Sequence, residues 1–248
     1  MHIHLPFSIL PQPDDTTCGP TCLHSIYRYY NDPIPLPRVI EEVTMLEAGG
    51  TLAVMLACHA LQRGYRAVIY TYKLQLFDPT WLRPGGPDIR ERLRAQMAVK
   101  NDPKLHVASR AYLKFLDLGG QLQFEDLTHS LMRRYLKQEI PVIAGLSATY
   151  LYRTPREFGP RCDYDDVRGE PSGHFVVLCG YDKESRSIRV ADPLLPNPVA
   201  ATPIYEVSIE RVLCAILLGV LTYDANLLVI KPGKKHDESG KKPSDHRR

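Results

Sequence analysis

The sequence predicts an α+β fold, and three observations carry that expectation. Apolar residues recur at helical spacing through the first third of the chain. Two short apolar runs, Phe175–Gly180 and Ile188–Ala191, flank a polar turn at Asp182–Ser187 and read as a hairpin. The order along the chain is helices first, then mostly antiparallel strands.

Taken in order, residues 11–17 (PQPDDTT) are turn chemistry. A helix follows, with Cys22, Ile26, Tyr27 and Tyr30 on one face. Thr16 or Thr17 is placed to cap it, and Pro20 is tolerated in its first turn. Asn31–Pro37 ends it. Thr51 is expected to cap a second helix, Leu52–Arg63, which Gly64 stops. Tyr65–Tyr72 alternates as a strand. Residues 73–124 hold two charged helical stretches, Ile89–Lys100 and Val107–Leu118. They form either an insertion that covers the site or a helical elaboration of the core. Glu125–Gln138 reads as a helix and Pro141–Leu146 as a short apolar strand. After the hairpin, Ser208 opens an apolar helix and Asn226–Ile230 is a last strand.

The expected domain spans residues 1–231, with the helical insertion at about 73–124. Residues 232–248 are expected to be a disordered basic tail, because nothing after Pro232 is apolar. Charge supports that boundary. The whole chain carries +3, yet Lys231–Arg248 alone has seven basic and three acidic residues, so the remainder is close to −1. The body has no basic stripe interleaved with aromatics, so a nucleic-acid partner is not expected.

Residues 1–10 (MHIHLPFSIL) lack the features of a signal peptide. The apolar run Val212–Leu221 is too short for a bilayer, which needs roughly 20 residues. No membrane span is expected, and the default location is cytoplasmic. The six cysteines are scattered, without a CxxC pair, and suit a reducing compartment.

Three stretches carry chemistry: Gln12–Leu23 (QPDDTTCGPTCL), Gly173–Leu178 (GHFVVL) and Val190–Pro193 (VADP). Cys18 lies where a helix begins, and the unpaired N–H groups there favour a thiolate. Gly19 beside it leaves backbone room for a substrate. The plain alternative is a half-buried structural thiol. Gln12, six residues earlier, has an amide able to face a developing oxyanion together with the Cys18 backbone N–H. His174 opens a very apolar strand. The hairpin brings Asp192 back within diagonal reach of it, where a carboxylate would hold the imidazole's tautomer. A simple strand-ending turn is the alternative for Asp192-Pro193.

Together these stretches resemble the bacteriocin-processing peptidase-like branch of the papain-like cysteine peptidases, cysteine peptidase family thirty-nine. The similarity covers roughly residues 8–30 and 140–195. It implies a papain-like fold, in which an N-terminal helix carrying the Cys packs on an antiparallel sheet carrying the His and Asp. It implies Cys18 as nucleophile, His174 as base and acid, Asp192 as its orienter and Gln12 as oxyanion donor. The implied partner is a peptide or protein substrate, and no cofactor is expected. The chain departs from the exporters of that branch: it has no membrane span and no ATPase motif, so it is more similar to the stand-alone members. Cleavage after a double glycine is therefore not carried over.

A cysteine peptidase is the leading expectation, with amidase, deamidase and transferase chemistry open to the same parts. A non-catalytic peptide-binding or regulatory module on the same fold is the alternative. A plant guanylyl-cyclase group also resembles this family and keeps a nucleotide role in view, although no Gly-rich phosphate loop is visible. The oligomeric state stays open. His2 and His4 lack a third metal ligand nearby. Asp163, Asp165 and Asp166 lack the pattern of a calcium loop. Arg153, Arg156 and Arg161 lie near that loop, where they could meet a substrate carboxylate.

Overall fold

The structure is a computed structural model that describes residues 2–47 and 49–233. The basic tail expected from residue 232 therefore lies outside the described residues apart from Pro232 and Gly233. A short strand β1 (His2–His4) leads through the Pro-rich turn into α1 (Cys18–Tyr29), so Cys18 is the first helical residue. Then follow α2 (Leu36–Glu42), α3 (Ala53–Gln62), β2 (Arg66–Thr71), α4 (Ile89–Val99), α5 (Pro103–Asp117), β3 (Gln121–Gln123) and α6 (His129–Leu136). The second half runs β4 (Val142–Ser147), α7 (Ala148–Tyr152), the two-residue strands β5 (Glu157–Phe158) and β6 (Asp163–Tyr164), β7 (Gly173–Asp182), β8 (Ser187–Ala191), β9 (Ile204–Ser208), α8 (Ile209–Leu218) and β10 (Asn226–Lys231).

The main sheet has the order β3-β2-β10-β4-β7-β8-β9, antiparallel throughout except for the β2–β3 pair. Strand β1 pairs with β7 at Gly180–Asp182, just beyond where β4 stops pairing. This is the α+β architecture expected, with α1 packed on β7. Strands β4 and β10 are buried almost end to end because helices and neighbouring strands cover them, which is why they read as continuous apolar runs.

Two expected caps are not formed. Thr17 occupies the N-cap position of α1 without a side-chain cap. Its hydroxyl instead donates to the Asp14 carbonyl at 3.1 Å, closing the preceding turn. Thr51 likewise donates to the Thr44 carbonyl at 2.9 Å, and α3 begins uncapped at Ala53. Ser208 does cap α8, accepting from the Arg211 N–H.

Residues 73–124 extend the hydrophobic core. Leu105, Ala108, Tyr112 and Phe115 of α5 are buried, α5 packs on α3, and α4 packs on α5. β3 then adds a parallel edge to β2. Gly19 is buried as well. A Cβ there would lie 2.6 Å from Thr51 Cγ2 and 3.2 Å from Phe175 Cδ2. Its small size serves the close approach of α1 to α3 and β7, and not the substrate room expected of it.

Candidate active site

The β7–β8 register places Val177 opposite Ala191, so Asp192 falls opposite Val176. His174 lies two residues further along the same face of the pleat, within diagonal reach. His174 Nε2 and Asp192 Oδ1 are 2.9 Å apart, with His174 6% and Asp192 0% exposed. The other side of His174 faces α1: the half-buried Cys18 sulfur lies close enough to raise the imidazole pKa. Since Nε2 is engaged by Asp192, Nδ1 is the nitrogen left for the sulfur.

The Asp192 carboxylate has further partners that linear reading missed. Oδ1 also accepts the Leu194 N–H at 3.0 Å. Oδ2 accepts the hydroxyls of Tyr152 at 2.9 Å and Tyr205 at 2.7 Å. Tyr152 comes from α7, far away in sequence, and carries no local signal. Tyr205 sits in Ile204–Ser208, whose alternation of buried and exposed residues marks β9. The donor set explains how a carboxylate can be fully buried. Burial alone would push Asp192 up, but the His174 charge and hydrogen bond, the Leu194 N–H and the Tyr205 hydroxyl hold it below the usual carboxylate range. Burial first, then the Asp192 charge, push both phenols far above their ordinary value, so each stays a donor.

For His174, burial alone would lower the pKa. The charges of Asp192 and Cys18 and their hydrogen bonds outweigh it and raise the imidazole to about 10. The site therefore favours the protonated form of the imidazole between a carboxylate and a sulfur.

Gln12 is tied to the same region. Its N–H donates to the Pro193 carbonyl at 2.8 Å, directly after Asp192. Its side-chain Nε2 donates to the Asp14 carbonyl at 2.9 Å, while Oε1 is buried without a partner. A carbonyl can only accept, so the nitrogen must be the atom facing Asp14. One amide hydrogen is used there and the second remains for another acceptor.

The neighbouring candidates are occupied otherwise. Cys22 is fully buried and its thiol donates to the Phe175 carbonyl at 3.2 Å. Burial, then the Cys18 and Asp192 charges, push that thiol well up. Asp182 bonds His2 at 3.1 Å, at the far end of β7 from His174. His4 lies 3.6 Å from Glu206 and 3.0 Å from an Arg189 nitrogen. Asp165 holds a turn by accepting the Val167 and Arg168 N–H groups and the Arg168 side chain. Arg156 donates to the carbonyls of Asp166 and Val167, and Arg161 pairs with Asp163 at 3.0 Å. Two of the three arginines considered for a substrate carboxylate are thus engaged within their own loop. Among the described residues, no group of three or more His, Cys, Asp or Glu is placed to hold a metal ion. None of their helices is long and apolar enough to cross a membrane.

The model of the Peptidase_C39 like family matches residues 94–205. Over these residues the chain is similar to that family. The matched range contains His174 and Asp192, whereas Gln12 and Cys18 precede it. Similar solved structures include a C39-like peptidase from Bacillus anthracis, at 15% identity, 94% of this chain and 100% of that one, and a TM-score of 0.48. Xylellain, a cysteine protease from Xylella fastidiosa, is 14% identical over 94% of this chain and 86% of its own, with a TM-score of 0.44. A double glycine motif protease from an AMS/PCAT transporter, in complex with the leader peptide, is 15% identical over 92% and 94%, with a TM-score of 0.45. Likeness at this level assigns no chemistry to a residue of this chain. No curated protein matches it.

Proposed function

We propose that the protein is a cysteine-dependent hydrolase, a peptidase cleaving peptide or amide bonds through Cys18, His174 and Asp192. The observation that carries this reading is the imidazole of His174, bonded on one side to the buried Asp192 and flanked on the other by the sulfur at the first residue of α1.

The chemistry follows from these contacts. The protonated imidazole and the uncapped helix N-terminus both favour the negative charge that the sulfur carries as it attacks. The sulfur attacks a substrate carbonyl carbon, forming the S–C bond, and the carbonyl electron pair moves onto oxygen. The Cys18 backbone N–H and the second amide hydrogen of Gln12 are the donors for that oxyanion. On collapse, the C–N bond breaks and the His174 proton goes to the leaving amine. Water then attacks the thioester with His174 as base, releasing the acid and restoring the pair. Asp192 keeps its charge throughout and fixes the ring.

The substrate class we infer is a peptide or protein segment, supported by the family match. Profiling a peptide library with the intact protein and with Cys18→Ala tests the reading. Turnover that disappears with Cys18→Ala is expected; turnover retained in that variant would remove Cys18 as nucleophile. Alkylation offers a substrate-free arm. Cys162 and Cys214 are exposed and Cys18 is only half-buried, so preferential labelling of Cys18 would reflect activation and not access. Gln12→Ala should slow turnover by about a hundredfold while sparing that labelling, as for a lost oxyanion donor.

A further inference from the structure

A second buried pair of ionisable groups lies behind His174. Asn226 of β10 pairs with Thr71 of β2, so the same register brings Asp224 opposite Lys73 just beyond the strand ends. Both are buried, at 7% and 2% exposure. Asp224 Oδ2 accepts the Thr222 hydroxyl at 2.7 Å, and the Asp224 N–H donates to the Gly219 carbonyl at 2.8 Å.

This carboxylate sits in a socket made by two glycines. A Cβ on Gly173 would lie 1.9 Å from Asp224 Oδ2 and 2.8 Å from Thr222 Oγ1. A Cβ on Gly145, on the intervening strand β4, would lie 3.2 Å from the Asp224 carbonyl oxygen and 3.3 Å from its Cβ. The glycine before His174 thus has a steric reason: the space of its side chain is filled by the Asp224 carboxylate. A residue with a side chain at 173 must displace either that buried acid or the first residues of β7.

We propose that Asp224, backed by Lys73, is a positioning residue for His174: its carboxylate seats the start of β7 over Gly173 and adds a negative charge behind the imidazolium. This deepens the reading of Cys18 and His174 as a reactive pair and rests on it. The charged groups within reach of Asp224 are Lys73 at the end of β2 and His174 on β7, with the Thr222 hydroxyl as its neutral donor. Burial pushes Asp224 up to about 6 against the opposing pull of Lys73, Thr222 and His174. By reciprocity, ionised Asp224 favours the protonated form of His174.

The test is the pH dependence of Cys18 alkylation by iodoacetamide, read by mass spectrometry on the Cys18 peptide in the full chain. It compares wild type with Asp224→Asn, Asp224→Ala, Gly173→Ala and the double variant Gly173→Ala/Asp224→Ala, with circular dichroism to check folding. Asp224→Asn keeps the shape and removes the charge, so the upper inflection of the profile should fall by about half a pH unit or more. Gly173→Ala should slow alkylation at pH 6 by about tenfold, since a displacement of about 1 Å can cost more than that. Removing the carboxylate in the double variant should recover part of the loss, a non-additivity expected only of groups in contact. An Asp224→Asn profile superimposed on wild type would overturn the proposal, even if Gly173→Ala fails to fold. So would strict additivity in the double variant. A wild-type Cys18 that reacts only at the alkaline pH of a free thiol would instead overturn the Cys18–His174 pair itself, and is read from the wild-type curve alone.

Discussion

Four donors converge on the Asp192 carboxylate, and they are unequal in what their loss would do. His174 and the Leu194 N–H share Oδ1, while Tyr152 and Tyr205 share Oδ2. Removing one phenolic hydroxyl leaves a buried carboxylate with one fewer donor, and hydrogen bonds to charged groups are worth about 1.5–3 kcal/mol. Tyr205→Phe is therefore expected to destabilise the fold by about 2 kcal/mol, measured by urea unfolding, and to leave Cys18 alkylation detectable. Asp192→Asn should do more to chemistry than to shape. It removes the largest influence raising His174, so the imidazole loses its proton at lower pH and the alkylation profile narrows from the alkaline side. Cys22→Ala tests the neighbouring thiol from the opposite direction. Its bond to the Phe175 carbonyl is structural, so some stability is lost, about 1 kcal/mol, while Cys18 labelling persists. Loss of labelling in Cys22→Ala would show that the sulfur at 22, and not at 18, carries the reactivity.

Elements differ in how openly the chain displays them. The β7–β8 hairpin was legible because ten residues of apolar strand end in the polar turn at Asp182, and because Gly-His and Asp-Pro mark its open end. The start of α1 was legible from the Pro13–Thr17 turn. The elements that escaped reading are short or hidden by their flanks. β1 is three residues whose partners lie near residue 181, a pairing no local window contains. β9 follows a Pro-rich loop that masks its alternation, and with it Tyr205. α2 begins inside the prolines that were read only as the end of α1. Thr51 had the sequence of a cap yet is spent on Thr44, because tertiary contacts compete with local ones for a hydroxyl. The contact between α1 and α3 offers a test at this scale. Gly19→Ala would place a methyl 2.6 Å from Thr51 Cγ2, so α1 must shift by several tenths of an ångström. Overpacking of this kind costs about 1–3 kcal/mol. Because Gly19 adjoins Cys18, the substitution is expected to lower both the melting temperature and the alkylation rate. A compensating Thr51→Ser, which removes the clashing methyl, should restore both; failure to restore either would mean that Gly19 matters for its backbone and not for its size.

For the whole molecule, two buried pairs of ionisable groups on the same sheet pull the pH dependence of stability in opposite senses. In the His174–Asp192 pair the protein favours the charged forms. Asp192 is depressed, so its contribution is present above the unfolded carboxylate value of about 3.9 and is lost as pH falls through its lower folded value. His174 is raised to about 10, so its contribution is complete below about 6.5 and is lost as pH rises toward 10. In the Lys73–Asp224 pair burial wins and the protein favours the neutral forms. Asp224 is raised to about 6, so stability falls as pH rises from about 4 through 6, because the native state holds a proton the unfolded chain releases. Lys73 is lowered to about 8, so stability is lost as pH falls from about 10.5 through 8. Melting temperatures from pH 4 to 10 separate the two. Asp192→Asn should be destabilised most between pH 4 and 6.5, with the deficit shrinking toward pH 10. Asp224→Asn should gain on wild type as pH rises from 4 through 6, because it no longer has a buried carboxyl to ionise. The two difference curves therefore slope the same way for different reasons, a stabilising pair being released at high pH in one and an ionisation cost being removed at low pH in the other. Their separation in pH is what assigns them. A difference curve for Asp224→Asn that stays flat between pH 4 and 6 would mean that Asp224 ionises in the fold as easily as in water, and that the charge of Lys73 compensates its burial in full.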